Sequence, residues 1–233
     1  GLQWRNFHGR IKGKGLRKAQ RAYLEEDLYR LSVGAVGCDI NPDRNPVDIE
    51  QIFGECDVWL EIGFGAGEHL VHQAVRRPDI GFIGCEPYIN GVASLLGKIR
   101  VAGCGNIRVH PGDVRDLFEV LPTNSVACAF LLYPDPWPKK RHHRRRFVTS
   151  EHLGPLARVM APGGILRVAT DIPSYVRQSL VEVPRHGFDW LAERPADWRA
   201  PWDDWLSTRY EQKALRVGRV PHYLTFKRHE NNG

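Results

Sequence analysis

Three carboxylates lie at turns where their residue types and spacing could hold a charged cofactor. The first is Glu61, in Leu60-Glu61-Ile62-Gly63-Phe64-Gly65-Ala66-Gly67. Three glycines at alternate positions after an apolar strand let the backbone turn sharply and approach a ligand closely. Opening a helix, such a turn suits a nucleotide-type cofactor. Glu86 closes the next apolar stretch, 19 residues after Gly67. A carboxylate there can accept both hydroxyls of a ribose. Asp113, in Pro111-Gly112-Asp113-Val114, follows the third stretch and is placed to accept from an adenine amino group. Two cofactor classes use turns of this kind. Dinucleotides favour G-x-G-x-x-G, with the pyrophosphate on the helix N-terminus. Here the spacing is G-x-G-x-G, and Glu61 beside the loop would repel a pyrophosphate. It suits a cation instead: the α-ammonium or sulfonium of S-adenosylmethionine.

A fourth acid lies in Pro134-Asp135-Pro136-Trp137-Pro138, after the apolar run Val126–Tyr133. Asp135 can face a methyl donor, and Trp137 can pack on a planar base. The prolines stiffen the loop and lower the cost of holding it in place. A basic octet, residues 139–146, follows at once, so phosphate binding would be adjacent to the chemistry. His142 and His143 have no cysteine or acid at matching spacing, so no metal site is expected.

Those residues need strand ends to hold them. Short apolar strands are expected at 57–62, 80–85, 106–110, 126–133 and 165–169. Helices are expected at 16–31, 66–77, 89–102, around 116–120, at 146–160 and at 173–185. The helix at 146–160 would be stopped by Pro162-Gly163-Gly164. Residues 33–56 read as loop, 189–207 as irregular and Trp-rich, and 222–226 as a last strand, antiparallel to the others. Strand–helix alternation with strands apolar on both faces implies a parallel sheet covered by helices. The region with Trp190, Trp198, Trp202 and Trp205 reads as core packing. The expected organisation is a basic N-terminal arm and first helix over 1–30, with residues 1–15 mobile, and one domain over 31–233.

Composition narrows the partners. The 233 residues carry a net charge of +6. Residues 1–30 contribute +5 and residues 139–146 contribute +6, so the remainder is mildly acidic. Basicity clustered in two patches favours a polyanion such as nucleic acid. The longest apolar run has eight residues, against roughly 18–20 for a membrane span. The basic N-terminus has no apolar segment of leader type. Five cysteines without a C-x-x-C argue against a disulfide framework and a zinc site, and for a reduced, cytoplasmic protein.

Residues 57–171 resemble a class I S-adenosylmethionine-dependent methyltransferase. The segment from Pro134 resembles the bacterial tRNA (guanine-N7-)-methyltransferase family, whose signature is P-D-P-W, then Lys, then R-H-x-x-R-R. The matching residues are Pro134-Asp135-Pro136-Trp137, Lys139, Arg141-His142 and Arg144-Arg145. Ala169-Thr170-Asp171 agrees as well, and Thr208-Arg209-Tyr210-Glu211 fits the family's T-x-[FY]-E. The resemblance implies an α/β, Rossmann-like class I methyltransferase fold, with a mostly parallel seven-stranded sheet and helices on both faces. It implies that Glu61, Glu86, Asp113 and Asp135 contact S-adenosylmethionine, with Gly63, Gly65 and Gly67 forming the loop, and that Asp135 is the active-site residue. It places Lys139, Asp171, Thr208, Arg209, Tyr210 and Glu211 on the tRNA substrate. It places Arg141, His142, His143, Arg144, Arg145 and Arg146 on RNA. The implied target is guanine 46 in the variable loop, methylated without an obligate protein partner.

Overall fold

The computed structural model describes residues 8–11 and 13–230. The chain divides into two compact units, residues 1–125 and 126–233. In the first unit come α1 (Lys18–Glu26), α2 (Ile49–Phe53), β1 (Val58–Ile62), α3 (Glu68–Arg76), β2 (Gly81–Cys85), α4 (Ile89–Ala102), β3 (Ile107–His110) and α5 (Val114–Val120). β1, β2 and β3 pair in parallel, with Ile62 opposite Cys85 and Cys85 opposite His110. The three strand ends are therefore level. The turns that carry Glu61, Glu86 and Asp113 leave from one edge.

The second unit holds β4 (Val126–Leu132), a 3-10 turn over Lys140–Arg145, α6 (Ser150–Val159), β5 (Met160–Thr170) and α7 (Pro173–Glu182). β6 (Phe188–Trp190), α8 (Ala196–Arg199), α9 (Arg209–Arg216) and β7 (His222–Arg228) complete it. β4 and β5 are parallel, whereas β7 runs antiparallel to both β5 and β6. The seven strands form one sheet in the order β3-β2-β1-β4-β5-β7-β6. No helix among the described residues is long and apolar enough to cross a membrane.

Burial explains the strands. Every residue of β2 is buried, as a strand covered on both faces requires. Phe82, Leu70, Leu95, Leu96 and Val109 meet in one apolar cluster of the first unit. α4 ends at Gly103, whose φ of 68° closes the helix in a left-handed cap.

Several expectations are corrected. The first helix stops at Glu26, and Asp27–Leu31 is a hydrogen-bonded turn. Arg100 binds Glu26 and Asp27 at 2.5 and 2.6 Å, which holds the Asp27 carboxyl below its usual range and fastens α1 to α4. The arm was expected to be mobile. Residues 1–7 and 12 lie outside the described residues. Ile11 instead accepts from the Ile89 amide at 3.1 Å, Lys14 O accepts from Asn90 at 2.7 Å, and Arg10 stacks over Tyr88. The helix after the basic octet begins at Ser150, not Arg146, because Arg146 is extended and its side chain turns inward. β5 starts at Met160, so Pro162-Gly163-Gly164 lies inside the strand. The β4–β5 register shifts between Val126 and Cys128, and Gly163 has a φ of 75°. Proline and glycine there mark a bulge. α2 and α8 fall where the sequence reads as loop or irregular chain, β6 begins at the edge of that stretch, and α9 lies beyond it, where no element was expected.

Candidate active site

In the first unit the glycine turn leaves β1 with Gly63, Gly65 and Gly67 at φ of 70°, 62° and 90°. A side-chain carbon at Gly65 would meet nothing within 4 Å, whereas one at Gly67 would lie 2.6 Å from Leu95 Cδ1. Gly65 thus lines an open cradle, and Gly67 lets α3 pack closely against α4. The Gly65 amide donates to Glu86 Oε1 at 2.9 Å, and the Tyr88 amide donates to Oε2 at 3.1 Å. Glu86 therefore ties the turn after β1 to the turn after β2. Glu61 is buried at the end of β1, against the buried His69 of α3. Asp113 caps α5 through the Arg115 amide at 2.8 Å, and the Arg115 guanidinium grips both carboxylate oxygens at 2.6–3.1 Å. An open glycine cradle flanked by carboxylates fits a ligand with ribose hydroxyls and a cationic end.

In the second unit the loop after β4 is held by side chains. Tyr133 and Trp137, which bracket Pro134-Asp135-Pro136, adopt φ of 47° and 40°. That region costs a non-glycine residue roughly 1–2 kcal/mol. Arg146 supports the loop from beneath. It donates from Nε to Pro136 O at 2.9 Å and from Nη2 to Trp137 O at 3.5 Å. It also binds Gln178 Oε1 at 3.1 Å and Ser174 Oγ at 2.9 Å, and lies over the Tyr175 ring. Arg145 stacks over Trp137, and His142 meets the same ring edge-on. Asp135 reaches the surface, yet partial burial pushes its carboxyl above the usual range.

Expected RNA contacts are therefore sorted. Lys139, Arg141 and Arg144 are exposed, as is Lys140, while His142, His143 and Arg145 are half-buried. Arg146, expected on RNA, is fully buried, with its donors committed to the loop and α7.

The substrate set divides similarly. Arg209 and Tyr210 are exposed. Thr208 caps α9 by accepting from the Glu211 amide at 3.2 Å. Glu211, expected on the substrate, has a buried carboxylate that accepts from Tyr133 Oη at 2.5 Å and from Trp205 Nε1 at 2.9 Å. It braces the end of β4 from inside, and burial, with the hydrogen bond to Glu211, pushes the Tyr133 hydroxyl far up. Asp171 is buried, paired with Arg219 at 2.9 Å and receiving a 3.4 Å bond from Tyr210 Oη. Trp202 and Trp205 pack with Tyr223, as expected of a packing region. Sequence reasoning missed the anchoring role of Arg146. It also missed His69, a histidine in the first turn of an amphipathic helix, whose spacing alone looks like any core position.

Comparison with known proteins shows the family. Residues 55–224 match the family described as "Putative methyltransferase". The chain is 73% identical over 226 residues to the tRNA (guanine-N(7)-)-methyltransferase of Ruegeria pomeroyi, covering 97% of this chain and 95% of that protein. It is 46% identical to the protein of the same name from Rhizobium meliloti, covering 95% and 94%. Among solved structures, the 16S rRNA methyltransferase KamB superposes with a TM-score of 0.55 at 18% identity, over 77% of this chain and 92% of that one. That likeness shows the Rossmann-like α/β fold. On sequence over nearly its whole length, the chain belongs to the tRNA (guanine-N7-)-methyltransferase family.

Proposed function

We propose that this chain transfers a methyl group from S-adenosylmethionine to N7 of guanine in tRNA, with guanine 46 of the variable loop as target. The observation that carries the proposal is the Asp135 loop, held rigid by Arg146 and followed at once by exposed Lys139, Lys140, Arg141 and Arg144. An identity of 73% to an enzyme of that name supports the reaction class.

In this reading Glu61 faces the cationic end of the cofactor, Gly63, Gly65 and Gly67 form its cradle, Glu86 accepts its ribose hydroxyls, and Asp113 lies toward the adenine. Bound there, S-adenosylmethionine supplies a methyl group activated by a sulfonium charge. Guanine N7 carries an in-plane lone pair and no proton, so the protein needs no general base. What remains is alignment, worth on the order of 7–11 kcal/mol in well-oriented systems. The prolines around Asp135 and the Arg146 anchor serve it. N7 attack leaves positive charge on the purine, and a carboxylate at Asp135 favours that charge. Partial burial of Asp135 strengthens the effect by thinning the water around it. The exposed cations take phosphates, Lys139 among them, while Arg209 and Tyr210 lie toward the substrate. Asp171 lies beneath Tyr210 and orients it. Residues 31–233 act as one catalytic domain, without an obligate protein partner, in the cytoplasm where tRNA is found.

The test is methyl transfer from labelled S-adenosylmethionine to bulk tRNA, followed by borohydride and aniline. N7-methylguanosine carries a fixed positive charge that makes its imidazole ring labile, so one strong cleavage is expected in the variable loop. Labelled tRNA that resists cleavage would exclude N7 and point to an exocyclic amine.

A further inference from the structure

Glu61 is the only charged residue in β1, between the buried Leu60 and Ile62. Its side chain is 2% exposed and that of His69 is 4% exposed. Taking a carboxylate and an imidazole out of water is costly unless each is hydrogen-bonded. A well-packed apolar pair would commonly be as stable or more so, so stability does not account for the pair. The local geometry is closely built. Gly67 in its left-handed cap starts α3 at Glu68. His69 then falls on the helix face that also carries Gln73, one turn on, and both side chains are buried. His69 Nδ1 contacts Glu61 Oε1. The Gln73 amide donates toward His69 Nε2 at 3.4 Å. That arrangement puts the ring proton on Nδ1, aimed at the carboxylate.

We propose that His69, backed by Gln73, is a positioning residue for Glu61. It holds Oε1 so that the other oxygen, Oε2, is presented to the cationic end of the cofactor. A carboxylate in a pocket this dry would otherwise rotate to whatever donor it could reach. This inference rests on the reading of Glu61 as the cofactor's cation contact, and the experiment separates the two. S-adenosylmethionine carries both the α-ammonium and the sulfonium. 5′-Methylthioadenosine keeps the adenine and ribose but lacks both charges.

Calorimetry with the full chain compares the two ligands. Glu61→Gln should weaken S-adenosylmethionine binding at least tenfold and leave methylthioadenosine within twofold. His69→Leu should show the same selective loss. His69→Asn, whose side-chain amide can stand where Nδ1 stood, should recover most of it. Should His69→Leu not fold, His69→Ser, which leaves room for water beside the carboxylate, carries the same comparison. If Glu61→Gln leaves S-adenosylmethionine affinity unchanged, the reading of Glu61 fails, and the role of His69 with it. If Glu61→Gln weakens binding but His69→Leu and His69→Ser do not, the positioning role alone is overturned. Equal loss of both ligands in the His69 variants would also overturn it, since the defect would then be general.

Discussion

The turn after β1 and the loop after β4 do comparable work with opposite materials. The first is glycine at three alternate positions, each at positive φ, with open space beside Gly65. The second has no glycine between Tyr133 and Arg146, and two of its bulky residues, Tyr133 and Trp137, sit in the same left-handed region. A glycine turn holds its shape at little steric cost and can lie open to a ligand. A loop of strained residues persists only where its surroundings over-determine it. Here those surroundings are Arg146 from one side and Glu211, through Tyr133, from the other. Shape that comes from side chains can be lost at a distance; shape that comes from glycine can be lost only in place.

The most damaging break of that contrast is Arg146→Ala. It removes a large buried side chain and takes a charged donor from Pro136 O, Ser174 and Gln178. The expected loss of stability is on the order of 3 kcal/mol or more, read by urea unfolding, with methyl transfer falling further than stability alone would explain. Wild-type stability would mean that the loop does not depend on the anchor.

Glu86→Ala attacks the other turn. Two charge-assisted hydrogen bonds of roughly 1.5–3 kcal/mol each are at stake. Cofactor affinity should drop at least tenfold by calorimetry while tRNA affinity holds. Unchanged cofactor binding would remove the ribose assignment.

Gly65→Ala sharpens the comparison. Its new methyl has space, so only the left-handed backbone is strained, by roughly 1–2 kcal/mol. Cofactor binding should nevertheless suffer more than folding, because the methyl fills the cradle. Thermal melts with and without S-adenosylmethionine would separate the two effects.

Smaller still is Arg141→Ala with Arg144→Ala. These exposed cations should cost no stability, and the log–log salt dependence of tRNA binding should flatten by roughly 0.7–0.9 per lost phosphate contact. A slope equal to wild type would make them a solvated face.

The smallest effect is Asp135→Asn on folding. Burial raises the folded pKa of Asp135, so the folded chain holds its proton to higher pH than the unfolded chain does. Stability contributed by the group falls as pH rises through that window. The asparagine variant should therefore melt slightly higher at neutral pH yet transfer methyl more slowly. Melts at acidic and neutral pH check the sign: the gap should close as pH falls.

Much of this was legible in the residues. β2 and β4 follow from continuous apolar runs, because a strand covered on both faces leaves little polar trace. The acids at the strand ends were legible because chemistry restricts what can stand there. Inward-turned polar side chains were not. Arg146 is the last of three consecutive arginines, and nothing in a run of charge says which member folds under. Thr208-Arg209-Tyr210-Glu211 reads as a family motif, yet threonine followed three residues later by glutamate is also the signature of a helix start. The structure uses Thr208 in that way. Pro162-Gly163-Gly164 looks like a stop signal, and only pairing with β4 shows it to be a bulge inside a strand.

The burial of Arg146 also has an allelic consequence. Variants at 141, 144 and 146 would look equivalent to any score that counts positive charge. A lysine at 146 would keep the count intact, but an ammonium cannot fork between Pro136 O and Ser174 as a guanidinium does. Such an allele would be scored as silent and behave as a loss of function, through low protein abundance. An Arg144→Glu allele would be scored as severe, yet would accumulate normally and fail only where tRNA is scarce or salt is high.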